Sequence, residues 1–136
     1  MRITTTGGER PAFGFCMWGA ANSGTNAAQR YLFPEFSDTS VTSTVVQWTV
    51  PVAFTAVAMF VRVNTVGTGT GSLVYTLYKG SSATALTCTV PATSVDGSST
   101  GAVSFVPGDK ISMVVQATGT VTGVGHGRPI ITIALA

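Results

Sequence analysis

From Arg30 onward apolar and polar residues alternate with a period of two, and turn residues break the alternation roughly every 8 to 15 positions. Successive side chains of a strand point to opposite faces, so this period predicts β structure. No stretch carries the three- and four-residue apolar spacing of an amphipathic helix. The run 42–50 sends Val46, Trp48 and Val50 to one face and Val45, Gln47 and Thr49 to the other, and Pro51 ends it because proline cannot donate to a ladder. The run 54–63 is apolar on both faces, with Val57, Met59, Val61 and Val63 on one side and Phe54, Ala56, Ala58 and Phe60 on the other. Such a strand needs cover on both sides, from the N-terminal segment or from a neighbouring subunit, which makes Phe54 and Phe60 candidate subunit-interface residues.

The remaining strands follow the same logic. Gly67–Gly71 reads as a flexible hairpin loop leading into a strand over 73–79, and Gly80-Ser81 turns the chain into a strand over 84–90. There Leu86, Cys88 and Val90 share one face. The stretch 91–101, rich in Ser, Thr, Asp and Gly, reads as a loop before a short strand over 102–106. Pro107-Gly108 is the pair that a type II turn favours at its two central positions. Ile111, Met113, Val115 and Ala117 form the inner face of the next strand, and Ile131, Ile133 and Leu135 alternate in the last. The sum is seven strands, or eight if 29–33 also pairs, and predicts an all-β antiparallel sandwich or jelly roll with an extended N-terminal arm.

Charge bears on what such a sandwich does. Hydrophobic residues make up an ordinary 45%, but charged residues only 9%, where about 25% is usual. A surface made instead of Thr, Ser, Gly, Val and Ala implies that partners cover much of it. The net charge of +2 is scattered over Arg2, Arg10, Arg30, Arg62, Lys79, Lys110 and Arg128 without a basic cluster, which argues against nucleic acid as a partner. Apolar runs such as 57–61 are far shorter than the about 20 residues of a spanning helix, which argues against a membrane role. Cys16 and Cys88 give neither a disulfide framework nor a metal-ligand spacing and read as packing residues of a protein made in a reducing cytosol.

The chain divides near residue 29, into an arm over 1–28 and a sandwich domain over 29–136. The arm has no sustained period and is rich in Gly, Thr, Asn and Ala, yet holds Phe13, Phe15, Met17 and Trp18. Those aromatics either dock on a partner or fold back on the domain's own core. Residues 12–21 resemble a signal-peptide core, but Thr4, Thr5, Thr6, Gly7, Gly8 and Glu9 precede them and Pro11 interrupts the entry, so no cleaved leader is expected.

Catalytic motifs are sparse. Gly97-Ser98-Ser99-Thr100-Gly101 matches the nucleophile-elbow pattern, and Asp109 and His126 follow in α/β-hydrolase order. An elbow requires a strand turning sharply into a helix, and no helix follows. His126, the only histidine, lies among glycines without Cys or acidic companions and reads as a turn residue rather than a zinc ligand. The 67–72 run, Gly-Thr-Gly-Thr-Gly-Ser, lacks the Lys of a phosphate-binding loop and the glycine spacing of a dinucleotide site. Glu9, Glu35, Asp38, Asp96 and Asp109 form no evident carboxylate pair. The reading is of a protein that is not an enzyme and that needs no cofactor or metal.

A series of motifs resembles a family of small phage virion proteins. They are Arg30-Tyr31-Leu32-Phe33-Pro34, Val61-Arg62-Val63-Asn64, the stretch Gly71-Ser72-Leu73-Val74-Tyr75-Thr76-Leu77-Tyr78-Lys79-Gly80, the stretch 83–90, and Val106-Pro107-Gly108-Asp109-Lys110-Ile111-Ser112. The chain departs from that family's pattern at Tyr78, where an Arg is more usual, and in its long aromatic arm. The resemblance implies a β-sandwich or jelly-roll homotrimer of the capsid cement or decoration kind, made in the host cytoplasm and seated on the capsid surface of the virion. It implies contact with the major capsid protein through Phe13, Phe15, Met17, Trp18, Tyr31 and Phe33, and a subunit interface that includes Phe54, Phe60 and Tyr78. The alternative is a host-recognition module of a tail fibre or spike that binds carbohydrate through its loops.

Overall fold

A computed structural model describes residues 4–5, 8–9, 13–17, 30–32, 39–40, 47–124 and 127–135, and among them there is no helix, only strands and turns. The strands are β1 (Thr4–Thr5), β2 (Gly8–Glu9), β3 (Phe13–Met17), β4 (Arg30–Leu32), β5 (Thr39–Ser40), β6 (Trp48–Thr49), β7 (Phe54–Val63), β8 (Ser72–Lys79), β9 (Ser82–Pro91), β10 (Asp96–Phe105), β11 (Lys110–Thr118) and β12 (Gly127–Leu135). Seven of these, β3 and β7 to β12, are five residues or longer. Apart from the short β1-β2 pair they form two sheets, in the orders β10-β7-β12-β3 and β5-β4-β11-β8-β9, with β6 also on β11. Every pairing is antiparallel. From β9 onward the chain changes sheet at every step, the winding of a jelly-roll sandwich.

The core lies between the sheets. Leu73, Tyr75 and Leu77 of β8 and Ile111, Met113 and Val115 of β11 face Met59, Val61 and Val63 of β7 and Ile131 of β12, all essentially without solvent contact. Phe54 and Phe105 close one end with rings stacked 5.0 Å apart. At that end the Pro107-Gly108 turn forms as its sequence predicts. Gly108 takes φ 95° and the Asp109 amide donates to the Val106 carbonyl at 3.1 Å.

The structure revises three local expectations. The first concerns β7, whose two apolar faces result from a β-bulge. Ala58 pairs with Thr132 and Ala56 with the next residue, Ile133, so Val57 has no partner across β12. The extra residue reverses the alternation: Phe54 and Ala56 point inward before the bulge, and Met59, Val61 and Val63 after it. The second concerns 96–101, read as a loop, which forms the first half of β10; residues 96–100 pair one by one with β7 before the register shifts. Its glycines serve close packing: a Cβ on Gly97 would lie 2.9 Å from the Thr89 carbonyl, and one on Gly101 3.3 Å from Leu86. Small residues let the edge of one sheet settle on β9 of the other. The third concerns the 67–71 run, which is pinned by backbone bonds: Thr68 N–H donates to Thr122 at 2.8 Å, Thr122 N–H to Thr68 at 3.0 Å and Gly71 N–H to Thr120 at 2.8 Å. Cβ atoms on Gly67 and Gly71 would fall 2.2 Å from the carbonyls of Thr122 and Thr118, so the approach requires glycine.

The turn after β10 carries an electrostatic lock. The Asp109 carboxylate accepts from the Val106 amide at 2.9 Å and sits 3.1 Å from the Lys79 ammonium. The backbone hydrogen bond first, then Lys79, holds its pKa below the usual carboxylate value. A depressed folded-state pKa contributes stability in full above the unfolded value, about 3.9, and that contribution is lost as pH falls through the folded value. Asp109→Asn is therefore expected to flatten the acid side of the stability profile. Thermal unfolding at pH 7 and at pH 3 checks this: the gap between the two midpoints narrows in the variant, and an unchanged gap refutes the lock.

Candidate functional site

Register in the four-stranded sheet gathers scattered residues into one groove. Arg62 of β7 pairs with Asp96 on one side and with Arg128 on the other. Two positions along, Phe60 pairs with Ser98 and with Ile130. Directly paired residues of an antiparallel sheet project to the same face, and the intervening Val61 is buried inward, so both rows lie on the outer face. Adjacent strands run about 4.8 Å apart, which brings the three charged groups of one row within about 10 Å. Together with Val61 and Gly97 these residues line a groove of about 380 Å³, at the small end of the range for ligand sites.

Its floor is apolar and its rim is charged. Phe60 is 51% exposed, although a large aromatic on a strand would ordinarily be covered. Arg62 and Asp96 approach to 3.6 Å with both side chains mostly in solvent, a contact of little energetic weight. Arg62 and Arg128 directly oppose one another, a like-charge pairing that disfavours the ladder. One carboxylate thus shares a row with two guanidiniums, each able to grip a planar anion through paired N–H donors.

The serine that matches the nucleophile-elbow pattern is not presented as an elbow presents it. Ser99 pairs with Met59 and faces inward, and its hydroxyl is buried with no hydrogen-bond partner among the described residues, whereas an elbow serine stands exposed. Asp109 is engaged with Val106 and Lys79, and His126 lies outside the described residues. Among the described residues no three or more of His, Cys, Asp and Glu group as metal ligands would. Cys88 is buried between the sheets, and burial raises its thiol pKa. In a Cys16→Ser background, Cys88 should resist an aromatic disulfide reagent in the native protein and react promptly in denaturant; fast native labelling would contradict its placement.

The other anticipated contact residues are distributed as follows. Phe13, Phe15 and Met17 lie on β3, which adds to the edge of the four-stranded sheet by pairing with residues 130–134 of β12. A part of the 1–28 segment is therefore built into the sheet. Tyr31 lies on β4 opposite Val114, and Trp18 and Phe33 fall outside the described residues. Phe54 stacks on Phe105 within the core, Tyr78 is nearly buried on β8, and Phe60 faces solvent. Sequence reasoning selected Phe60 and missed Arg62, Asp96, Ser98, Arg128 and Ile130. A signal was present: Phe60-Val61-Arg62 and Arg128-Pro129-Ile130 are mirrored apolar-x-Arg patterns, which an antiparallel pairing superimposes.

No protein-family model matches the chain, and no curated protein matches it. Among solved structures, the globular domain of zebrafish complement 1qA protein aligns over 93% of this chain and 97% of that one, at 18% identity and a TM-score of 0.47. The structure of Eiger TNF from S. frugiperda aligns over 93% of this chain and 96% of that one, at 12% identity and a TM-score of 0.36.

Proposed function

We propose that this chain is a structural binding module without catalytic chemistry, which assembles as a homotrimer and reinforces a phage head by bridging subunits of the major capsid protein at the capsid surface. The observation that carries the proposal is the surface: Val52, Phe60, Val66, Val95 and Val106 are all exposed on a chain with only 9% charged residues. Val52 and Val106 are 53% and 55% exposed at the same end of the sandwich, where the Gly108 amide donates to Val50 and Asp109 receives the Val50 amide. Two exposed valines at one end of the sandwich suit contact between copies, and symmetry would repeat such a contact around an axis. The virion setting rests on the motif resemblance in the sequence. Light scattering at micromolar concentration should return the mass of three chains, and co-sedimentation should place the protein on empty phage heads. A single-chain mass with no capsid binding would remove the proposal.

One observation favours the second reading, a tail-fibre or spike module that recognises host carbohydrate. An exposed aromatic, Phe60, shares a groove with the carboxylate of Asp96 and the hydroxyl of Ser98. Glycan-array binding abolished by Phe60→Ala would establish that reading over the first.

A further inference from the structure

We propose that the groove over β7, β10 and β12 binds an extended acidic segment of a partner protein. A carboxylate of that segment sits between Arg62 and Arg128, and the apolar side chain two residues along rests on Phe60 and Ile130. The inference deepens the reading of the chain as a binding module, but does not depend on its forming a trimer.

Charge argues first. The row Asp96, Arg62, Arg128 carries a net positive charge on a sheet face, and its two guanidiniums are set opposite each other by register. An arriving carboxylate removes the repulsion and accepts paired donors, so the free site is arranged for an anion. Spacing argues next. The charged row and the Phe60–Ile130 row are two residues apart, about 6.6 Å along the strands. An extended peptide presents its side chains at positions i and i+2 on one face at that same interval, so an acidic residue followed two positions later by an apolar one matches both rows.

The composition of the groove selects among anions. Its lining is Phe60, Val61, Gly97 and Ile130 beside two guanidiniums, one carboxylate and one hydroxyl. A sugar acid would expose several hydroxyls to that apolar floor and leave them without partners, whereas a peptide side chain such as Leu would cover it. A second copy of this chain is a poor source. It has five acidic residues in all; Asp109 is committed to Lys79 and Val106, and Asp96 is already in the groove. The other three, Glu9, Glu35 and Asp38, are followed two positions later by Pro11, Ser37 and Ser40 rather than by a large apolar side chain, so the complementary segment comes from a different protein. Phe60, expected from sequence at a subunit interface, is on this account a residue that meets the partner.

Backbone amide shifts of the isotope-labelled full chain provide the test. The probes are an acetylated, amidated Ser-Asp-Thr-Leu-Ser peptide, its counterpart with Asn in place of Asp, and N-acetylneuraminic acid. The expected result is saturable shifts confined to residues 60–62, 96–98 and 128–130 with the acidic peptide. They should weaken about tenfold or more with the Asn peptide and with Arg128→Gln, as loss of a charge-assisted hydrogen bond implies. Arg128→Gln removes an exposed charge that faces a like charge, so its thermal midpoint should not fall, and lost binding cannot then be blamed on unfolding. No shift at millimolar peptide, equal shifts with the two peptides, or saturation by the sugar acid alone would each overturn the proposal. A single-chain mass alongside acidic-peptide binding upholds this site and removes the trimer; a trimer that ignores the peptide does the reverse.

Discussion

Phe105→Ala should lower the free energy of unfolding by about 3–5 kcal/mol, the usual range for truncating a buried aromatic. Phe105 is among the largest fully buried side chains, stacks on Phe54 at 5.0 Å with an interplanar angle of 26°, and is paired with it in the β7-β10 ladder. The Lys79 ammonium lies 5.5 Å from its ring centroid. Truncation leaves a cavity that β10 cannot close by sliding, because β7 holds it by register on the bulge side and the Val106–Asp109 turn holds it on the other. For a domain whose whole stability is about 5–15 kcal/mol, such a loss is a large fraction. Phe105→Leu fills most of the space and should cost less than half as much. Urea denaturation followed by tryptophan fluorescence measures both. A loss below about 1 kcal/mol for the alanine variant would mean that this end of the core is not packed as described.

The strand class, the winding into two sheets and most of the inward set were legible because burial imposes a period of two. Leu86, Cys88 and Val90 were assigned one face and are buried together, as are Ile111, Met113 and Val115. What failed to show were places where the alternation changes or where small residues have a non-local cause. The bulge at Val57 shifts the inward set by one residue, and a chain with Val and Ala on both sides of the shift looks apolar throughout. Gly97 and Gly101 read as turn formers, but their cause is the proximity of β9, a contact that no local pattern encodes. The groove was hidden for the same reason. Arg62, Asp96 and Arg128 are far apart in sequence, and only pairing of β7 with both neighbours brings them into one row.

Gly127→Ala should be strongly damaging, and Tyr75→Phe should partly repair it. Gly127 is the first residue of strand β12 and pairs with Val63, and the difficulty there is space. A Cβ there would lie 1.7 Å from the Tyr75 hydroxyl oxygen and 2.7 Å from the ring carbon that bears it. Tyr75 is itself wholly buried between Leu73 and Leu77 and has nowhere to retreat. Overpacking of this kind costs about 1–3 kcal/mol and occasionally more, and a wholly enclosed ring puts Gly127→Ala at the upper end. For a chain of this size about 3 kcal/mol corresponds to a fall of roughly 10 °C in midpoint. Among the described residues the Tyr75 hydroxyl has no hydrogen-bond partner, so Tyr75→Phe alone removes a desolvated polar group and should be neutral or stabilising. In the double variant the worst contact disappears, and a cycle of the two substitutions should show a favourable coupling of at least about 1 kcal/mol. Alkaline unfolding gives a second readout. Burial, and then the nearby Cys88, raises the Tyr75 pKa above its unfolded value of about 10. Stability is therefore flat with respect to this group below that value and declines as pH rises past it towards the folded value, since the unfolded chain ionises first. Tyr75→Phe should resist unfolding at high pH better than the parent chain. Strict additivity in the cycle, together with parent-like alkaline unfolding, would show that the ring does not abut Gly127 across the core.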